Sequence, residues 1–127
     1  MLQRGELVPH FTVTRLDGSR ASYDGIWQRK NLLLVVLPAE ESAERAEYVS
    51  QIGAHTQAFS AHEAECVMTT DHVLDLPRPG IVVADRWGEI YFVGSGCKVA
   101  ELPKIDEILE WLRFIEHECP ECQGETR

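Results

Sequence analysis

The sequence predicts an α/β sandwich built on a mixed central sheet. Three observations carry this. Two apolar runs, NLLLVVLP at 31–38 and AECVMTT at 64–70, lack polar alternation and so read as strands covered on both faces. The stretch between them has helical spacing, which makes the three a parallel βαβ unit. An alternating hairpin precedes this unit, and a second hairpin and a long amphipathic helix follow it.

At the start, LVPHFTVTRLDGSRAS alternates around Asp17-Gly18, a dipeptide suited to a tight turn. After the first buried strand, Tyr48, Ile52, His55 and Phe59 recur at intervals of three and four, which predicts one long helix over 39–62. Glu40, Glu41 and Glu44 fall in its first turns, where the helix dipole favours acids. Beyond the second strand, DLPRPG sets Pro77 and Pro79 two apart and must be irregular. IVVAD, RWG and EIYFVG then read as a hairpin whose three-residue turn ends in Gly88. From Glu101 to about Glu118 a last helix carries Leu102, Ile105, Ile108, Leu109, Leu112 and Ile115 in one stripe, with Trp111 on its edge and Phe114 outside it. Pro120 disfavours helical geometry at Cys119, so the helix should stop there. The expected order is hairpin, β, α, β, β, β, α, with residues 1–118 as the domain and 119–127 as a tail.

The chain has 127 residues, 44% of them apolar, and a formal charge of −9. That length suits one domain with a proper core. The charge excludes the basic face that nucleic acid or an anionic membrane requires. No apolar run approaches the ~18 residues of a membrane span. The opening MLQRGELVPHF lacks the apolar centre of a secretion signal, which points to the cytoplasm. Thiols are kept reduced there, so the four cysteines read as catalytic, metal-binding or packed, not as a disulfide framework.

GELVPHFTVTRLDG, VMTTD and PGIVVADRWGEI, in this order, resemble the redoxin branch of the thioredoxin-like superfamily: the peroxiredoxins of the alkyl hydroperoxide reductase and thiol-specific antioxidant type. The first stretch is similar to that family's Gly-x-x-x-Pro-x-Phe opening. The third is similar to its pattern of Pro, five residues, then Asp-Arg-x-Gly. The resemblance spans roughly 5–118 and implies a thioredoxin-like sandwich with oxidoreductase, antioxidant chemistry. It also implies that Pro79 is a cis-proline facing the active site. The active site itself departs from the family. Peroxiredoxins carry Pro-x-x-x-Thr-x-x-Cys at the head of the first long helix, where the helix N-terminus and an arginine stabilise the thiolate. Here PAEESAER gives Pro38, then Ser42 for the threonine and Arg45 for the nucleophilic cysteine. A guanidinium attacks neither a peroxide nor a disulfide. The stretch 71–79 is also short for the family, so its second helix should shrink to a turn.

Other residues read more plainly. Cys66, mid-strand, is a small packed hydrophobe. Cys97 lies in the GSGCK loop. His10, His55, His62 and His72 have no partner at ligand spacing, and Glu40, Glu41, Glu44 and Glu47 form a solvated helix face. GSGCKVA comes close to a dinucleotide fingerprint, but no strand follows the last helix to complete the unit.

The tail carries the other candidate, Cys119-Pro120-Glu121-Cys122. A Cys-x-x-Cys pair suits thiol–disulfide exchange with a protein thiol or disulfide partner and needs no cofactor. Its electrostatics oppose an attacking role. A helix C-terminus and Glu116, Glu118, Glu121 and Glu125 all disfavour a thiolate, which holds both thiols at or above the ordinary ~8.5. CPECQG also resembles a zinc knuckle, with Cys119, Cys122, His117 and Cys97 as a single-chain ligand set or a second tail completing the four sites. In that reading the protein is a non-enzymatic binding or assembly module, a homodimer supported by Trp111 and Phe114. An idle tail is the third reading.

Overall fold

The computed structural model describes the backbone of residues 2–126 and the side chains of residues 2–117. A turn at Asp17-Gly18 closes β1 (Thr12–Thr14) on β2 (Arg20–Ser22) in antiparallel register, Val13 opposite Ala21. Gly18 supplies the turn's positive φ of 92°, which side-chain-bearing residues avoid. The Asp17 carboxylate accepts the backbone N–H and the hydroxyl of Ser19, which holds its pKa below the ordinary value.

β3 (Asn31–Val36) is buried at every position, as its unbroken apolar run predicts. The helical region that follows is shorter and less continuous than expected. It begins at Ala43 and divides into α1 (Ala43–Ala54) and α2 (Thr56–Ala61) at His55, whose φ of −115° and ψ of 16° leave the helical range. The break has a local cause. His55 Nδ1 is bonded to the Gln51 carbonyl and Thr56 Oγ1 donates to that of Gly53, so side chains compete for backbone acceptors beside a glycine. Tyr48, Ile52 and Phe59 are still buried on the expected face.

β4 (Ala64–Thr69), β5 (Gly80–Ala84) and β6 (Ile90–Ser95) complete a sheet of order β4-β3-β5-β6, parallel between β3 and β4 and antiparallel elsewhere. Residues 71–79 form no helix. Leu74 and Asp75, with φ of 55° and 57°, turn the chain so that Val73 and Leu76 plug the sheet. The last helix, α3 (Ile105–Thr126), starts four residues later than predicted. Pro103 forces Leu102 to an extended ψ of 155°, so Val99–Glu101 form only a single 3-10 turn. The helical trace also continues past Pro120, where a stop was expected. A proline's fixed φ is itself helical, and what it removes is one backbone hydrogen bond.

Alternation along β3 splits the core. Leu33, Val35 and Leu37 meet Ile52, Phe59, Ile108, Leu112 and Ile115 of the helices. Leu32, Leu34 and Val36 meet Phe11, Val13 and Tyr23 of the hairpin layer. Each such side chain contributes on the order of 1.5–3 kcal/mol by leaving water.

The strand directions define two poles. Register pairs Val36 with Thr69 and with Gly80, and Gly80 with Ser95, so these meet at the pole where α1 begins. Asn31 and Ala64 lie at the other.

Candidate functional site

The head of α1 sits at the first pole, just beyond β3. Ser42, extended at φ −153° and ψ 164°, caps the helix: its Oγ accepts the Arg45 N–H at 3.1 Å. The Arg45 side chain folds back over the preceding loop. Its Nη1 donates to the carbonyls of Pro38 at 3.1 Å and Ala39 at 3.0 Å. Pro38 and Arg45 are half-buried and Ser42 is exposed. Ser42 thus satisfies one N–H that a helix head otherwise leaves to water, and Arg45 braces the loop through the carbonyls of Pro38 and Ala39.

Pro79 lies at the same pole, and the Arg78–Pro79 bond is cis, as the resemblance implied. Arg78 Nη1 donates to the Thr70 carbonyl at 2.7 Å. The Thr69 hydroxyl donates to the Thr14 carbonyl, while the Thr14 N–H donates to the Asp71 carboxylate at 2.8 Å. Both arginines here are thus turned to main-chain acceptors. Gly80 has no room to change, since a Cβ there would lie 2.6 Å from the Pro77 carbonyl oxygen.

Cys97 is carried to this pole by β6. It is exposed, and the Gly96 N–H before it donates to the Pro79 carbonyl at 3.4 Å. Glu101 Oε1 accepts the N–H groups of Cys97 at 2.6 Å and Lys98 at 3.3 Å. Cys66 lies mid-way along β4, and its thiol is pushed up to about 12, first by burial and then by the Glu65 carboxylate.

His117 is at the far end. Glu116 contacts His62, which follows α2 and precedes β4 at the second pole. The structure therefore does not bring His117 and Cys97 together, and no cluster of three or more metal-binding side chains occurs among the described residues. The side chains of Cys119 and Cys122 lie outside the described residues.

Two residues have roles that the sequence analysis did not assign. Asp85, the Asp of the Asp-Arg-x-Gly pattern, organises the β5–β6 turn: its Oδ1 accepts the N–H groups of Trp87 and Glu89, both at 2.9 Å. Burial raises its pKa despite these bonds. Arg4, in the opening segment, places its guanidinium 5.9, 5.3 and 5.8 Å from the ring centres of Tyr91, Trp111 and Phe114. The signal lies in three aromatics on β6 and α3, which sequence spacing does not bring together.

The mixed four-stranded sheet, the N-terminal hairpin, the three helices and the cis-proline are consistent with a thioredoxin-like fold. Within that class the fold is that of the peroxiredoxins. The reduced 2-Cys peroxiredoxin of Plasmodium vivax superposes with a TM-score of 0.76 at 14% identity, covering 90% of this chain and 82% of that one. The mitochondrial 2-Cys peroxiredoxin of Plasmodium falciparum gives 0.72 at 11%, covering 97% and 98%. The yeast mitochondrial 1-Cys peroxiredoxin gives 0.74 at 13%, covering 93% and 79%. No protein-family model matches the sequence, and no curated protein matches it. Among the described residues no helix is long and apolar enough to cross a membrane.

Proposed function

We propose that this is a peroxiredoxin-fold protein that turns over no peroxide at the head of α1, and that its thiol chemistry belongs to Cys119 and Cys122. The pair exchanges with a protein thiol or disulfide in the cytoplasm. The observation that carries the first half is the state of Arg45 and Ser42. One ties down the loop and the other caps the helix, so neither is a nucleophile held ready for substrate. The second half is supported by elimination. Burial pushes the Cys66 thiol up, which favours its protonated form, and Cys97 has no second cysteine at Cys-x-x-Cys spacing. The tail pair remains, with its own resolving partner. Its acidic surroundings favour slow exchange, driven by a partner that supplies the activated thiolate.

The test is dithiothreitol-driven reduction of a model protein disulfide by wild-type protein, by Cys119→Ser/Cys122→Ser and by Cys97→Ser. Loss of turnover in the double variant alone is expected. Full turnover in that variant, or peroxide consumption that it leaves intact, overturns the reading.

A second reading has one observation in its favour. Phe114 is 38% exposed beside the half-buried Trp111, which suits an assembly module that dimerises through α3 and holds zinc with its tail. Zinc retained on purification at a fixed ratio per dimer would establish it.

A further inference from the structure

β6 is an edge strand, and the chain's own opening segment bonds to the start of that edge, at Ile90. The Gly5 N–H donates to the Ile90 carbonyl at 2.8 Å and the Ile90 N–H to the Glu6 carbonyl at 2.9 Å. This pairing delivers Arg4 to the rings of Tyr91, Trp111 and Phe114. At Val93 and Ser95 no backbone hydrogen bond from outside the sheet occurs among the described residues. Successive strand residues turn their backbone groups to opposite sides. Gly96 faces β5 through its bond to Pro79, so Ser95 and Val93 face outward.

Alongside this edge runs a groove of about 1170 Å³ between β6 and the first turns of α3. Phe92 and Trp111, stacked with ring centres 5.4 Å apart, line it, and Asp106, Glu107 and Glu110 stand along its helix side. Its other charged groups are Glu101, engaged with backbone N–H groups, Lys104, and Arg4, which lies against the rings. The balance is acidic, on a chain whose formal charge is −9. A second copy would bring another acidic helix face to this one.

We infer that this groove binds an extended basic segment of another protein, which pairs its backbone with the outer edge of β6 and lays Lys or Arg side chains against Asp106, Glu107 and Glu110. Strand addition supplies the affinity and the acidic side the preference. Arg4 shows part of this combination within the chain: a turn closed by the Glu6 N–H on the Gln3 carbonyl bonds to this edge at Ile90 and rests its cation on the aromatic wall. The site is independent of the thiol chemistry proposed above.

The probe is a fluorescein-labelled octapeptide of alternating Lys and Val, read by anisotropy, with alternating Glu and Val as its counterpart. Saturable binding of the basic peptide alone is expected, with slowed amide exchange at Val93 and Ser95. Asp106→Asn/Glu107→Gln/Glu110→Gln should bind roughly tenfold more weakly. Glu40→Gln/Glu41→Gln/Asp75→Asn, which removes three exposed charges elsewhere, should stay within about twofold. Equal weakening in both triple variants, or absence of saturable binding, overturns the inference. So does native mass spectrometry showing a dimer whose formation already protects Val93 and Ser95.

Discussion

Arg45 and Ser42 show how one position changes the meaning of a motif. The spacing of PAEESAER made Arg45 legible as a departure from the peroxiredoxin pattern, since a guanidinium there is wrong for the chemistry. What it does instead was not legible, because a loop carbonyl leaves no mark in sequence. Ser42→Ala should remove the cap bond and lower stability by about 1 kcal/mol, read as a shift in urea midpoint, while leaving thiol exchange unchanged. A large loss of turnover with stability intact would make Ser42 catalytic. Asp85 gives a second prediction. Burial raises its pKa, so the folded state favours the protonated form. Its stabilising contribution is full below the unfolded value near ~3.9 and is lost as pH rises through the folded value. Asp85→Asn keeps an acceptor for Trp87 and Glu89, so it should be at least as stable as wild type at neutral pH, with a flatter profile across the acid range. Asp85→Ala strands those N–H groups and should cost about 1–3 kcal/mol. Equal losses in the two variants would refute the assigned cause.

At the scale of elements, strands were read better than helix ends. NLLLVVLP announces itself because burial on both faces leaves no polar position. α1 carries its buried residues only from Tyr48 onward, so nothing apolar marked its start, and Ser42, a good capping residue, was the usable signal. Pro103 was the unread signal for α3, and it moved the start to Ile105. The stripe itself held: Ile108, Leu112 and Ile115 are essentially inaccessible. Leu112→Ala should therefore cost roughly 2–5 kcal/mol, whereas Arg113→Ala, on the exposed face, should lie within about 0.5 kcal/mol in the same thermal melts. A small cost at Leu112 would mean that α3 is not packed against the sheet as described.

For the whole molecule, element order led to an α/β sandwich and the resemblance of three motifs to the thioredoxin-like fold, which peroxiredoxins at 11–14% identity share. The site was harder, because Ser42 and Arg45 stand where the resemblance implies the catalytic threonine and cysteine. α3 leaves the first pole after Lys104 and reaches His62 at the second by Glu116. The proposed account rests on the Cys119–Cys122 pair, whose side chains lie outside the described residues. Disulfide mapping after equilibration with reduced and oxidised glutathione, quenched with acid, tests this most directly. The account predicts that the peptide holding Cys119 and Cys122 loses two hydrogens as oxidised glutathione rises, with Cys66 reduced throughout. A tail that stays fully reduced while Cys97 carries all the oxidation would contradict it.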